Sequence, residues 1–189
     1  SAPNRRSQKE CIIQAYKRAG IPPSNSQYVE AHGTGTRQGD PIELRAIGET
    51  IGAGRKKEKP LRIGSVKTNL GHGETAAGIT GLIKAALCIK KRKLPPSIHY
   101  KIPNPSINFE ELGLRVQTEY EDFPDNSQPL VVSVSSFGFG GTNAHAVLRE
   151  HPTSNNSITL QQIKPKSHLF YLTARSSLAL DQLMLDYIK

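Results

Sequence analysis

Cysteine is scarce: Cys11 and Cys88 are the only two thiols in 189 residues. Neither belongs to a CxxC pair, and both fall in stretches of helical periodicity. That argues against a disulfide framework and makes a reducing cytoplasm the default. No apolar run approaches the ~18 residues that a membrane span needs. The opening Ser1-Ala2-Pro3-Asn4-Arg5-Arg6 has neither an apolar core nor a cleavage pattern, so it does not read as a secretory leader. The missing initial Met suits an excised piece or an internal fragment. Six histidines are present, but no HExxH and no Cys/His ligand spacing, so no metal site is expected. Acidic residues are also short, 16 against 25 Lys and Arg, for a net charge of +9. The excess sits largely in Arg55-Lys56-Lys57-Glu58-Lys59 and Lys90-Lys91-Arg92-Lys93. No aromatics interleave these clusters, and no helix-turn-helix, zinc-finger or RNP pattern accompanies them. Solvated basic loops are the first reading, an acidic protein partner the second, and nucleic acid the weakest.

Hydrophobic residues at 36% and charged residues at 22% describe a globular chain, long enough for one domain with a real core. Apolar residues recur at helical spacing over 5–19, and Gly20-Ile21-Pro22-Pro23 ends that helix. Residues 27–31 read as a short strand running into His32 and the turn Gly33-Thr34-Gly35-Thr36. Asp40-Pro41 reads as an N-cap and first helical residue, with the helix reaching about Ile51. A second strand spans 61–66, and a long helix runs from about Glu74 to Lys91. One face of that helix is apolar (Ile79, Leu82, Ile83, Ala86, Leu87). Another is small (Gly78, Gly81, Ala85), which predicts burial between layers. Residues 97–129 are loop-rich, with a short strand at 114–117. Residues 130–135 and 144–148 are strands joined by a glycine-rich turn. Alternating strands and helices give an α/β class. Polar residues 151–164 mark a boundary, followed by a short strand at 169–172 and an amphipathic helix from Ser176 to Ile188.

Three polar runs each follow a predicted strand at its carboxyl end, where open α/β folds place ligands. They are Glu30 to Thr36, Lys67 to Glu74, and Ser135 to His145. Gly138-Phe139-Gly140-Gly141 lacks the GK[ST] of a P-loop and leads into a strand rather than a helix, which argues against nucleotide binding.

Taken together and in order, these runs resemble the β-ketoacyl synthases. EAHGTGTRQGDPIE (Glu30 to Glu43) is similar to the family's first histidine motif, and SVKTNLGHGETAAGITG (Ser65 to Gly81) to its second. SSFGFGGTNAH (Ser135 to His145) is similar to the closing glycine-rich motif. The stretch Pro95-Pro96-Ser97-Ile98-His99-Tyr100 through Pro103-Asn104-Pro105 resembles the connecting loop of modular synthases. The resemblance covers about residues 1–150. Residues 151–189, with Leu172-Thr173-Ala174-Arg175, resemble the start of the linker leading to an acyltransferase domain.

The resemblance implies the C-terminal half of a thiolase-like α-β-α-β-α layered fold. It implies part of an enzyme for decarboxylative Claisen condensation, in polyketide rather than fatty-acid synthesis. His32 and His72 match the pair that holds a malonyl thioester oxygen. Lys67 and Glu74 are expected to form an ion pair that orients them. The turn before the long helix favours a neutral, donating His72 through its dipole. The resemblance further implies that Thr34, Thr36, Asn69, Phe137, Phe139, Gly138, Gly140 and Gly141 line the substrate or pantetheine arm, with the Phe139 backbone N–H in an oxyanion hole. Nothing is bound directly as a cofactor; substrates arrive on the phosphopantetheine of an acyl carrier protein. The expected partners are that carrier, the N-terminal ketosynthase half, the neighbouring acyltransferase domain and a second copy in a homodimer, with neither nucleic acid nor membrane.

Two departures stand out. The family's Ala-Cys-Ser nucleophile segment is missing, and Cys11 and Cys88 read as inert core thiols, so the chain alone is expected to be inactive in condensation. Gly73 stands where a larger residue is usual, at a cost of about 1 kcal/mol to the helix start. The alternative to an enzyme part is a non-catalytic condensing-like domain that binds carrier protein or scaffolds a dimer.

Overall fold

The computed structural model describes residues 3–124, 127–151 and 172–188, in two units divided between Pro152 and Thr153. The first unit opens with α1 (Arg5–Ala19), capped by the Asn4 side chain accepting from the Ser7 backbone N–H. Gly20 ends it at φ +64°, donating back to the carbonyls of Tyr16 and Lys17. A left-handed residue costs glycine little, so the turn closes without strain.

β1 (Tyr28–Glu30), β2 (Leu61–Gly64), β4 (Leu114–Val116), β6 (Val131–Phe137) and β7 (Asn143–Arg149) form one sheet in the order β4-β2-β1-β6-β7. The first four run parallel, and β7 returns antiparallel at the edge. A small second sheet pairs β3 (Lys93–Leu94) with β5 (Glu121–Asp122). Parallel strands need covering on both faces, and their side chains alternate between them. Val29 and Ile63 join Ile12, Leu44, Ala46 and Ile47 under α1 and α2 (Gly39–Gly48). Tyr28, Val132 and Val134 join Ala85 and Cys88 of α4 (Ala77–Lys91) on the other side.

Four local expectations are corrected. α2 begins at Gly39, not at Asp40-Pro41, because Thr36 Oγ1 accepts from the Gly39 N–H and Asp40 turns back to the Gly35 N–H. It ends at Gly48, with Ile51 still buried in the turn that follows. β2 ends at Gly64 rather than at the expected 66, and a short helix α3 (Lys67–Leu70) follows, where no helix was expected. The apolar stripe of α4 is not buried between layers. The small face, Ala77, Gly81, Ala85 and Cys88, packs inward, while Ile79, Ile83 and Leu87 remain 50–55% exposed. Small residues let the helix approach closely: a Cβ at Gly81 would lie 3.3 Å from Val134 Cγ1.

The basic clusters are partly consumed by the fold. Arg55 donates to the carbonyls of Ile51, Ser24 and Ser26, and Arg92 pairs with Glu150. In the second unit α5 (Ser177–Ile188) starts where the Ser176 hydroxyl accepts from the Ala179 N–H. Most of the strand expected at 169–172 lies outside the described residues.

Ile47 is fully buried among α1, α2 and the sheet. Ile47→Ala removes that packing, and the expected cost is about 2–5 kcal/mol, measured as a lowered urea midpoint with the site geometry otherwise intact.

Candidate active site

The carboxyl ends of β1, β2 and β6 deliver the three predicted runs to one edge of the sheet. His32 lies two residues past the end of β1, and Phe137 ends β6. Their ring centroids are 6.0 Å apart. His72 comes from the link between α3 and α4, and its ring stands edge-on to His32 at 5.6 Å and 86°. Sequence spacing alone cannot pair residues forty positions apart; the adjacency of β1 and β2 does it.

The backbone around His32 is held by a carboxylate. Glu43, 3% exposed, accepts from the His32 N–H at 2.7 Å and the Gly33 N–H at 2.9 Å. Burial pushes its carboxyl up to about 7, against the pull of those two N–H groups and of Lys67. Gly33 turns at φ +49°, and a Cβ there would lie 2.8 Å from Ser65 Cβ. The chain therefore needs glycine at this point to swing away from the sheet.

The His32 imidazole is neutral at pH 7. Burial, then the charges of Lys67 and His72, lower the His32 pKa to about 4. His72 Nδ1 accepts from the Glu74 backbone N–H at 2.9 Å. A nitrogen that accepts carries no proton, so Nε2 holds it and is free to donate.

The expected Lys67–Glu74 ion pair is absent. Glu74 is turned outward with its side chain 83% exposed, 3.6 Å from His72 Nδ1. The carboxylates acting on Lys67 are instead Glu43 and Glu30, and they raise its pKa against the larger lowering by burial. Glu74 contributes its backbone: it sits at φ +46° and presents its N–H to His72. The Gly73 backbone, at φ −79°, makes no demand for glycine.

The remaining residues are more scattered. Thr34 and Thr36 share a hydroxyl contact at 3.2 Å, and Thr36 also caps α2. Asn69 is exposed, its Oδ1 accepting from the Thr68 hydroxyl. Phe139 is 93% exposed in a turn closed by Gly138 N–H to Thr142 O at 2.8 Å and Gly141 N–H to Gly138 O at 3.1 Å. Gly141 takes φ +86° there, and a Cβ at Gly140 would meet no atom within 4 Å. Beside Lys67 a cavity of about 980 Å³ opens, walled by Leu44, Ile63, Ile98 and Ile107. Glu30 and Glu43 fall within the first motif, yet sequence reasoning assigns neither a role. Their one signal is a carboxylate placed in an otherwise apolar strand or helix face.

The family model described as the C-terminal domain of β-ketoacyl synthase matches residues 1–101, and that of the ketoacyl-synthetase C-terminal extension matches 103–189. A phenolphthiocerol/phthiocerol polyketide synthase of Mycobacterium tuberculosis is 50% identical over 149 residues, covering 79% of this chain and 8% of that protein. The highly reducing polyketide synthase PKS6 of Gibberella zeae is 42% identical over 196 residues, covering 100% of this chain and 8% of that protein. The ketosynthase from module 1 of the Bacillus amyloliquefaciens bacillaene synthase superposes with a TM-score of 0.74 at 43% identity, over 81% of this chain and 27% of its own. The module 6 ketosynthase of Bacillus subtilis gives 0.73 at 37%, over 99% and 32%. The chain thus spans under a tenth of these curated relatives and about a third or less of the solved ketosynthases.

Two outcomes are expected. Gly33→Ala places a Cβ against Ser65 in a left-handed backbone, so it displaces the His32 turn and destabilises by about 1–3 kcal/mol, read by thermal melting. His32 and His145, both half-buried and with pKa lowered to about 4, take up protons more readily unfolded than folded. Stability is therefore full above about pH 6.5 and falls as pH drops towards 4. Urea midpoints across that range should show the decline, and His145→Gln should flatten it.

Proposed function

The chain belongs to the β-ketoacyl synthase family, and from that premise we propose that it is the donor-activating half of a condensing domain in a modular polyketide synthase. In this reading the parent protein takes an acyl group onto a cysteine and receives a malonyl-type unit on the phosphopantetheine of an acyl carrier protein. The malonyl C–C bond to the carboxylate breaks, carbon dioxide leaves, and the electron pair passes to the thioester oxygen as an enolate. The enolate carbon then attacks the carbonyl of the acyl-cysteine, a new C–C bond forms, the C–S bond breaks, and the parent's cysteine leaves as a thiolate.

The observation that carries this reading is the pair of imidazoles meeting at 5.6 Å, one past the end of β1 and one from the link between α3 and α4. Two donors aimed at one oxygen stabilise the charge that develops there, and each such donor contributes about 3 kcal/mol. A charged imidazolium would bind the malonyl carboxylate instead. The neutral His32 ring favours the enolate oxygen. Lys67 supplies a fixed positive charge beside them. In this reading the Phe139 backbone N–H belongs to the oxyanion hole for the acyl thioester oxygen, and Phe137 packs against His32. Thr34, Thr36 and Asn69 present hydroxyl and amide groups to the pantetheine arm on the same edge.

No thiol of this chain serves as nucleophile. Burial raises the pKa of both, Cys88 to about 11, so neither is a thiolate at neutral pH. The isolated chain is therefore inactive in condensation. The exposed Ile79, Ile83 and Leu87 face of α4 fits an apolar partner, and the N-terminal ketosynthase half is that partner in this reading. Residues 151–189 begin the linker to the acyltransferase domain, and the parent works as a homodimer. No helix among the described residues is long and apolar enough to cross a membrane.

His72→Ala in the intact parent is expected to lower malonyl decarboxylation by about 100-fold or more, followed as release of carbon dioxide from malonyl carrier protein. Decarboxylation near the wild-type rate would remove His72 from this role.

A further inference from the structure

We propose that Glu30 is a positioning residue for the decarboxylation step, its buried carboxylate fixing the spacing of His32, Lys67 and His72. This rests on the functional reading above.

Glu30 is 1% exposed and ends β1 on the face that packs against α4. Its two oxygens are fully engaged. Oε2 accepts from Tyr28 Oη at 2.7 Å and from Lys84 Nζ at 2.7 Å, and Oε1 accepts from the Val66 backbone N–H. Lys84 also donates to Tyr28 Oη at 2.9 Å. Burial and the adjacent Glu30 raise the Tyr28 phenol well above its ordinary value, so it stays a donor.

Each bond leads to a different member of the site. His32 lies two residues beyond Glu30 along the β1 exit. Lys67 is the residue after Val66. Lys84 belongs to α4, and the link entering α4 carries His72. One carboxylate thus joins the three segments that bear the reacting groups, without itself reaching the cavity beside Lys67, whose walls it does not form. Gly81 makes room for it: a Cβ there would sit 3.2 Å from Glu30 Cγ. Enzyme groups displaced by about 1 Å lose on the order of 100-fold in rate, so a tie of this kind acts on turnover while leaving substrate binding elsewhere intact.

The test measures decarboxylation of malonyl carrier protein by the intact ketosynthase parent, comparing wild type, Glu30→Gln and Tyr28→Phe, with His72→Ala as the inactive control. Glu30→Gln keeps the shape and removes the charge that holds Lys84. The expected result is a fall in kcat of about 30-fold or more, with KM within threefold of wild type. A kcat within threefold of wild type, or a loss carried by KM, overturns the proposal. Tyr28→Phe removes one bond and leaves the ion pair, and it decides the matter if Glu30→Gln does not accumulate. A kcat loss of about three- to tenfold at unchanged KM is then expected, and a wild-type kcat overturns the proposal. If His72→Ala also retains activity, the functional reading itself falls, and the role of Glu30 with it.

Discussion

A carboxylate almost wholly removed from water is expensive unless it is paired and hydrogen-bonded. Glu30 meets that demand only when three separate segments arrive together: α4 with Lys84, the β2 exit with the Val66 N–H, and β1 with Tyr28. Until they do, its charge is unsatisfied, so the network favours one arrangement of this sheet edge over loosely packed alternatives. The same segments carry His32, Lys67 and His72. The arrangement that neutralises the buried charge is therefore the arrangement that brings these three together.

A second carboxylate works one strand-end further out. Glu43, on α2, holds the two N–H groups where the chain leaves β1. Glu30 and Glu43 approach Lys67 from opposite faces of the sheet, and together they oppose the lowering of its pKa by burial. Glu74, the carboxylate nearest Lys67 along the chain after the motif, takes no part in this. Sequence proximity suggested the wrong partner because a short link between helices can turn a side chain to solvent while its backbone N–H faces inward.

Much of the fold was legible beforehand. The first helix shows its end in Gly20 and the long helix its periodicity, while the Asn4 cap and the Arg92 turn at φ +52° appear only in the structure. The strands of the large sheet were legible as short runs, and the three polar motifs as their continuations, while the two-residue strands β3 and β5 were not. Boundaries near glycine and threonine were less so. At 36–40 the Thr36 hydroxyl and the Asp40 carboxylate both find backbone N–H partners that no local pattern specifies. The open face of α4 differs from expectation for another reason. Amphipathicity reports that a face seeks cover, and the exposed Ile79, Ile83 and Leu87 find none among the described residues.

The sequence by itself determined the α/β class, the order of the motifs and the standing of His32, Lys67 and His72 as the candidate reacting groups. The class follows from local propensity, and the standing of the three residues from the resemblance that their motifs bear to the β-ketoacyl synthases. Only the tertiary contacts settle which groups meet, which nitrogen of His72 accepts from the Glu74 N–H, and which carboxylates act on Lys67. Those outcomes depend on strand order and on the burial of polar atoms, and both arise from contacts between residues distant along the chain.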